Sequence, residues 1–419
     1  MATTVQESPP KYNLIPIVFE TRGPFSEEIY EKREYYEREY KRALQNAKCL
    51  IVKGFSGTGK TWLTKHIISE ISEKYDWINL SNVALYNSFN DFFMSKISQI
   101  KTEYSEEKSA SANAIFAGGE LGTQTTYHIA HNYFLEYLKI HKNNYIIFDN
   151  FEAIINNQKF IDDLGAIITL MDDPEVQELN IKFILIGTCI NFKGFFDKLP
   201  NSDTIANRLH DLPEIKGFNM IECENHVIKA FNKIGIKIKN YAQFIEFIFK
   251  CTNGTPQNIN DLCMQICYEC QDNNQDFIDD TPTNKNLILI NAQKKWIKGT
   301  LTSSYNRIFN LYRNNSGSKA INNNILYMIS EIDKTIFTTD NLKAQISAYF
   351  PDLDNKISKT RIKKYLDELS NVNDNNNNIL EKLNNNDYSV RDYKTIICIN
   401  NILYLQEDEV QILDITEIE

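Results

Sequence analysis

The chain has 419 residues, 42% of them hydrophobic, and 45 Lys and Arg against 55 Asp and Glu give a formal net charge of −10. That length buries two or three cores rather than one, and the acidic balance argues against wholesale coating of nucleic acid. No apolar run approaches the ~20 residues of a membrane span, and Met1–Pro10 lacks the basic and apolar regions of a signal peptide, so a cytoplasmic protein with no membrane partner is expected.

Residues 1–47 read as an extended lead-in followed by a strongly charged helix over Ser26–Ala47. Its Ile29, Tyr36, Tyr40 and Leu44 are spaced to dock on the domain that follows. The apolar run Cys49–Val52 then leads into Gly54-Phe55-Ser56-Gly57-Thr58-Gly59-Lys60-Thr61, with a helical pattern over Trp62–Ile71. Strand, glycine-rich loop and helix N-terminus in that order form a phosphate loop. The glycines let backbone N–H groups curl round a β-phosphate while the helix dipole adds positive potential. Gly54, Ser56, Gly57, Thr58 and Gly59 are the expected cradle. Lys60 is placed to bridge β- and γ-phosphates, and the Thr61 hydroxyl to ligate Mg²⁺.

A strand is expected over Trp77–Leu80, and Lys101–Thr125, rich in Ser, Ala and Gly, reads as an insertion or loop. The run Tyr145–Asp149 ends in a carboxylate, so Asp149 is the candidate second Mg²⁺ ligand. Asn150 follows it where many such ATPases carry Glu, which leaves Glu152 as the nearby carboxylate able to orient or deprotonate an attacking water. Another apolar run, Phe183–Thr188, brings Thr188 or Asn191 to a strand end facing the γ-phosphate. Arg208, in Ile205–Leu209, has the planar fork suited to a transferring phosphoryl group on a neighbouring subunit. Alternating strands and helices over 48–221 make a doubly wound α/β core with a parallel sheet.

From 222 to 316 the apolar spacing is helical. Cys263, Cys267 and Cys270 share one face with Ile259 and Ile266, as a buried helical stripe does. His128 and His131 lie a turn apart with no third ligand to complete a zinc site. Over 317–419, Asn-rich breaks separate helices near 321–332, 339–348 and 356–369 from strands near 379–383 and 395–404. That order makes a winged helix-turn-helix. Lys356, Lys359, Arg361, Lys363 and Lys364 cluster towards the start of its third helix, the end that enters a major groove.

The sequence of phosphate loop, Asp149 strand end, Thr188 strand end, Arg208-Leu209 and Asn253–Leu262 resembles an AAA+ ATPase of the origin-recognition and STAND-like type, over roughly residues 15–405. In that group a Gly-x-Pro-x-x-Ile-x-x-Leu stretch opens a lid helix, matched here by Gly254, Pro256, Ile259 and Leu262. Gln257 and Asn258 stand where family members often place an arginine. The resemblance implies ATP and Mg²⁺ as ligands, and the chain divides on composition into four parts: the 1–47 lead-in, a 48–221 ATPase core, a 222–316 helical lid and a 317–419 winged helix. Two functions follow from it. One is a DNA-associated ATPase acting on double-stranded DNA in replication, transposition or mobile-element defence. The other is a switch that controls a protein effector without touching DNA. A homo-oligomer or a partner protein is expected in either.

Overall fold

The apolar runs Cys49–Val52, Ile146–Phe148 and Phe183–Ile186 become strands because they are buried on both faces, as parallel strands covered by helices are. The structure is a computed structural model. It describes residues 9–20, 26–72, 74–107, 126–142, 144–188, 192–197, 199, 201–278, 287–315, 320–332, 336–371, 379–383, 386–390, 393–406 and 409–415. The chain forms two compact units, Phe25–Lys216 on the one hand and Met1–Pro24 with Gly217–Glu419 on the other.

In the Phe25–Lys216 unit the elements run α1 (Glu34–Asn46), β1 (Cys49–Lys53), α2 (Lys60–Ile71), β2 (Tyr75–Asn79), α3 (Phe89–Glu107), α4 (Thr126–Ile140), β3 (Tyr145–Asp149), α5 (Gln158–Thr169), β4 (Lys182–Gly187), α6 (Ser202–Arg208) and β5 (Leu209–Asp211). The five strands pair in parallel in the order β2-β3-β4-β1-β5. Alternation along each strand divides the core in two. Leu50, Val52, Ile147, Ile184 and Ile186 face one layer with Tyr40 and Leu44 of α1 and Leu63 and Ile67 of α2. Cys49, Ile51, Ile146, Phe148, Phe183 and Leu185 face the other, under Phe93 of α3, Tyr137 of α4 and Leu164 of α5. This is the expected doubly wound sheet, and it sends the ends of β1, β3 and β4 to one edge.

Three expectations need correction here, and one strand, β5, has no counterpart among them. The charged helix starts at Glu34 rather than Ser26, because Ile29, Tyr30 and Arg33 are buried in a non-helical segment that tertiary contacts hold down. The strand expected at Trp77–Leu80 is Tyr75–Asn79. α3 continues through Glu107, so the expected insertion begins as helix; residues 108–125 lie outside the described residues. β5 has only Leu209 as an apolar residue, too weak a pattern to announce a strand.

The second unit contains α7 (Met220–Ile234), β6 (Lys237–Ile238), α8 (Tyr241–Thr252), α9 (Pro256–Asp272), β7 (Phe277–Ile278), α10 (Leu287–Thr300) and α11 (Thr302–Asn314). They are followed by α12 (Asn322–Ser330), β8 (Ile336–Thr338), α13 (Thr339–Tyr349), α14 (Lys359–Ser370), β9 (Leu380–Lys382), β10 (Asp387–Val390), α15 (Tyr393–Ile402), β11 (Leu403–Gln406) and β12 (Glu409–Ile412). One hydrophobic core runs through this unit, with buried residues from Ile15 to Ile415. α9 opens at Pro256, where a proline costs nothing because the first helical N–H has no partner anyway. The stripe of Cys263, Cys267 and Cys270 is fully buried on α9, and burial pushes the Cys270 thiol up to about 12.

The strand expected near 395–404 is instead mostly the helix α15. Its β-branched run is buried on several sides, with Thr395, Ile397, Cys398, Ile399 and Ile402 all inaccessible. Such a short apolar run has no period that separates strand from buried helix. Asn401 holds the helix in place: its side-chain amide donates to the carbonyls of Cys251 (2.6 Å), 150 residues away, and Ile397 (2.7 Å). The strand that follows β9 is β10, which pairs antiparallel with both β8 and β9.

Candidate functional site

The loop between β1 and α2 is built by its glycines. Gly57 and Gly59 sit at φ of 82° and 88°, a region that side chains resist. At Gly54 a Cβ would stand 2.2 Å from the carbonyl oxygen of Ile215, so no other residue fits. Thr58 is buried and its hydroxyl donates to the Phe55 carbonyl at 2.9 Å, closing the turn, while Ser56 is exposed. Lys60 is the first residue of α2 and is buried; its ammonium donates to the carbonyls of Gly54 (2.9 Å) and Phe55 (2.8 Å). A desolvated cation held by two loop carbonyls at a helix N-terminus is chemistry prepared for an anion.

Thr61 and Asp149 meet as the sequence suggests: the Thr61 hydroxyl donates to Asp149 Oδ2 at 3.1 Å. The other carboxylate oxygen accepts the backbone N–H of Asn150 at 2.8 Å. Burial raises the Asp149 pKa above the ordinary carboxylate value, and the Glu152 charge adds to that, against the hydrogen bonds from Asn150 and Thr61. Asn150 has φ of 63°, which turns the chain sharply into a short 3₁₀ turn over Phe151–Ala153. Phe151 is fully buried and stacks on Phe192 with 4.5 Å between ring centroids, which pins the turn. Glu152 is thereby aimed at the end of β4, where one carboxylate oxygen accepts the Thr188 N–H at 3.2 Å. Asn191 lies outside the described residues, as do the side chains of His128 and His131.

Lys60, Thr61, Asp149, Glu152 and Thr188 are therefore brought together at the ends of β1, β3 and β4. Arg208 is held elsewhere, at the last position of α6. Its guanidinium donates to the Thr204 carbonyl at 2.6 Å and pairs with Asp172, whose carboxyl it holds below the usual range. In the second unit Lys356, Lys359, Lys363 and Lys364 are exposed, whereas Arg361 is half-buried and its Nε donates to Asn322 Oδ1 at 3.3 Å. Lys359 pairs with Asp340 at 2.5 Å.

Two residues at the site escaped the sequence reading. Asn79, the last residue of β2, accepts the side-chain amide of Asn150 at 2.9 Å and stands in register with Asp149. A polar residue ending the strand was the available signal, obscured by running that strand one residue too far, to Leu80. Arg33 donates to the Thr58 carbonyl at 3.0 Å; lying in a run of charged residues, it had no pattern to mark it.

The cradle that only glycine permits, the buried Lys60 and the Thr61–Asp149 pair fit a nucleotide polyphosphate with Mg²⁺. Gly54 to Thr61 would hold the phosphates, and Thr61 with Asp149 the metal. Because burial raises its pKa, the Asp149 carboxyl stabilises the unliganded fold below its unfolded pKa and loses that contribution as pH rises through the folded value. At neutral pH the ionised form is thus a cost to the unliganded protein. Asp149→Asn is expected to keep or raise the Tm of the unliganded protein at pH 7 while ending ATP turnover. Glu152→Gln is expected to keep ATP binding and slow turnover by on the order of 10²–10⁴. Differential scanning fluorimetry and phosphate release check both. A Tm drop of several degrees in the first, or unchanged turnover in the second, removes the role assigned.

Residues 42–193 match the AAA domain family. Comparison with curated proteins finds no match. Among solved structures, the chain is similar to the Walker-type ATPase PABY2304 of Pyrococcus abyssi, at 15% identity and a TM-score of 0.52, covering 92% of this chain and all of that one. It is also similar to the Aeropyrum pernix ORC2 protein in its ADP form, at 13% identity and a TM-score of 0.50, covering 92% of this chain and 97% of that one. No helix among the described residues is long and apolar enough to cross a membrane. Residues 42–193 are thus an AAA domain with a phosphate loop, in a chain whose fold is similar to that of these two solved structures.

Proposed function

We propose that the protein is an ATP-binding and ATP-hydrolysing AAA+ switch in the cytoplasm that associates with double-stranded DNA through its C-terminal region. The observation that carries the ATPase part is the Thr61–Asp149 hydrogen bond, which brings the phosphate loop and the acidic strand end together, the two groups that would hold Mg²⁺. MgATP, when bound, supplies the phosphoryl group transferred to water. Lys60 neutralises charge on the phosphates, and Glu152 orients the water from the end of β4. Arg208 of a second copy, or a residue of a partner protein, completes the charge stabilisation.

The DNA part rests on topology. α12, β8, α13, α14, β9 and β10 follow in the order helix-strand-helix-helix-strand-strand, with a three-stranded sheet ordered β8-β10-β9. That supports reading 317–419 as a winged helix with α14 as its groove-entering helix. Lys356, Lys359, Lys363 and Lys364 are exposed at or near its N-terminal half. One observation favours the second reading, a switch acting on a protein effector: Asp and Glu outnumber Lys and Arg over 317–419, and Lys359 is already paired with Asp340.

A gel shift on duplex DNA decides between them. DNA binding through about six phosphates loses roughly 10³-fold in affinity between 50 and 200 mM salt. Lys363→Glu with Lys364→Glu is expected to weaken binding and flatten that slope. Absence of any shift at 50 mM salt would leave the effector reading in place.

A further inference from the structure

Among the described residues, only two lysine or arginine side chains are buried, Lys60 and Arg33, the latter 2% exposed. Lys60 belongs to the phosphate loop; Arg33 sits in the segment before α1, and its surroundings show what it does. One guanidinium nitrogen donates to the carbonyl of Thr58, inside the loop, at 3.0 Å. Another donates to the carbonyl of Lys216, the last residue of the unit, at 2.6 Å. The same group lies over the Tyr36 ring at 4.6 Å from its centroid, and the Tyr36 hydroxyl accepts the Lys216 N–H at 3.3 Å. The backbone of Arg33 is itself fixed, its N–H donating at 2.8 Å to Glu37, which also accepts the Tyr30 hydroxyl. A planar fork with several fixed donors is suited to spanning two acceptors at once, which an ammonium does not do.

The loop and the segment after β5 also touch directly. Ile215 N–H donates to the Lys53 carbonyl at 2.8 Å, and the Ile215 carbonyl crowds Gly54. The segment leaving the ATPase unit is therefore packed along the loop, and Arg33 bridges the two. We propose that Arg33 is a positioning residue that couples the phosphate loop to residues 212–216. The loop conformation that holds polyphosphate is then felt at the point where the chain leaves the unit. This rests on the loop being an ATP site.

The test is hydrogen exchange on the full chain, with and without saturating MgATP, in wild type and Arg33→Lys. In wild type, ATP is expected to slow exchange at Thr58, Ile215 and Lys216 together. In Arg33→Lys, ATP binding is expected to weaken roughly tenfold, the size of one charged hydrogen bond. Once the variant is saturated, Thr58 is expected to be protected while Ile215 and Lys216 exchange at their unliganded rate. A brace that merely supports the fold would change all three equally in both states. Protection at 215–216 by ATP in Arg33→Lys equal to wild type overturns the proposal, as does wild type that binds ATP without slowing those amides. Failure of wild type to bind ATP at all sinks the nucleotide site itself. If Arg33→Lys does not fold, Tyr36→Phe removes only the hydroxyl that receives Lys216 N–H; it is expected to show partial loss of the coupling, and full coupling there counts against it.

Discussion

Lys60→Ala is expected to abolish measurable ATP binding by isothermal titration. The ammonium is buried and fixed on the carbonyls of Gly54 and Phe55, so its desolvation is already met before any phosphate arrives. Transfer of that charge to β- and γ-phosphate oxygens gives charge-assisted hydrogen bonds of about 3 kcal/mol each at the upper end, on the order of a hundredfold in affinity. More than one such bond takes the variant below detection. The substitution leaves α2 in place, since alanine is the best helix former, and the twin phosphate-loop turns at Gly57 and Gly59 do not depend on the side chain. Wild-type affinity in the variant would remove the phosphate loop from the function altogether.

Arg208→Ala is expected to lower specific ATPase activity by 10³ to 10⁵, the range for an arginine acting on a transferring phosphoryl group, with little change in ATP affinity. Wild-type specific activity is expected to rise with protein concentration, since the group acts on a neighbouring copy. The pair with Asp172 is the competitor. Asp172 is largely exposed, and exposed ion pairs are worth about 0–1 kcal/mol, against about 4–7 kcal/mol for a finger of that rate effect. Release from Asp172 is therefore affordable, and Asp172→Asn is expected to keep or raise activity. Phosphate release over a range of protein concentrations measures all three proteins. A rate independent of concentration, with Arg208→Ala as active as wild type, makes Arg208 a surface brace for Asp172 and Thr204 within its own chain.

The phosphate loop, the strand ending in Asp149 and the strand leading to Thr188 were legible in the sequence because their physics is local. Glycines at positive φ, a lysine opening a helix, and apolar runs buried on both faces each leave a mark within a few residues. The same locality explains the failures. Thr395–Ile402 is apolar and β-branched, and nothing within it distinguishes strand from buried helix; the contact of Asn401 with Cys251, 150 residues away, holds the helix in place. Helix α1 loses about its first two expected turns because Arg33 is drawn to Thr58 and Lys216. Glu152 was named from its place in the chain just after Asp149, but its aim at Thr188 depends on the turn at Asn150 and the stacking of Phe151 on Phe192. The sequence by itself determined the chemistry on offer at the site, because that chemistry is a property of residue types at fixed spacing. Only the tertiary structure decided which distant groups, Asn79 and Arg33 among them, meet that site, because such meetings depend on packing between segments that carry no mutual signature along the chain.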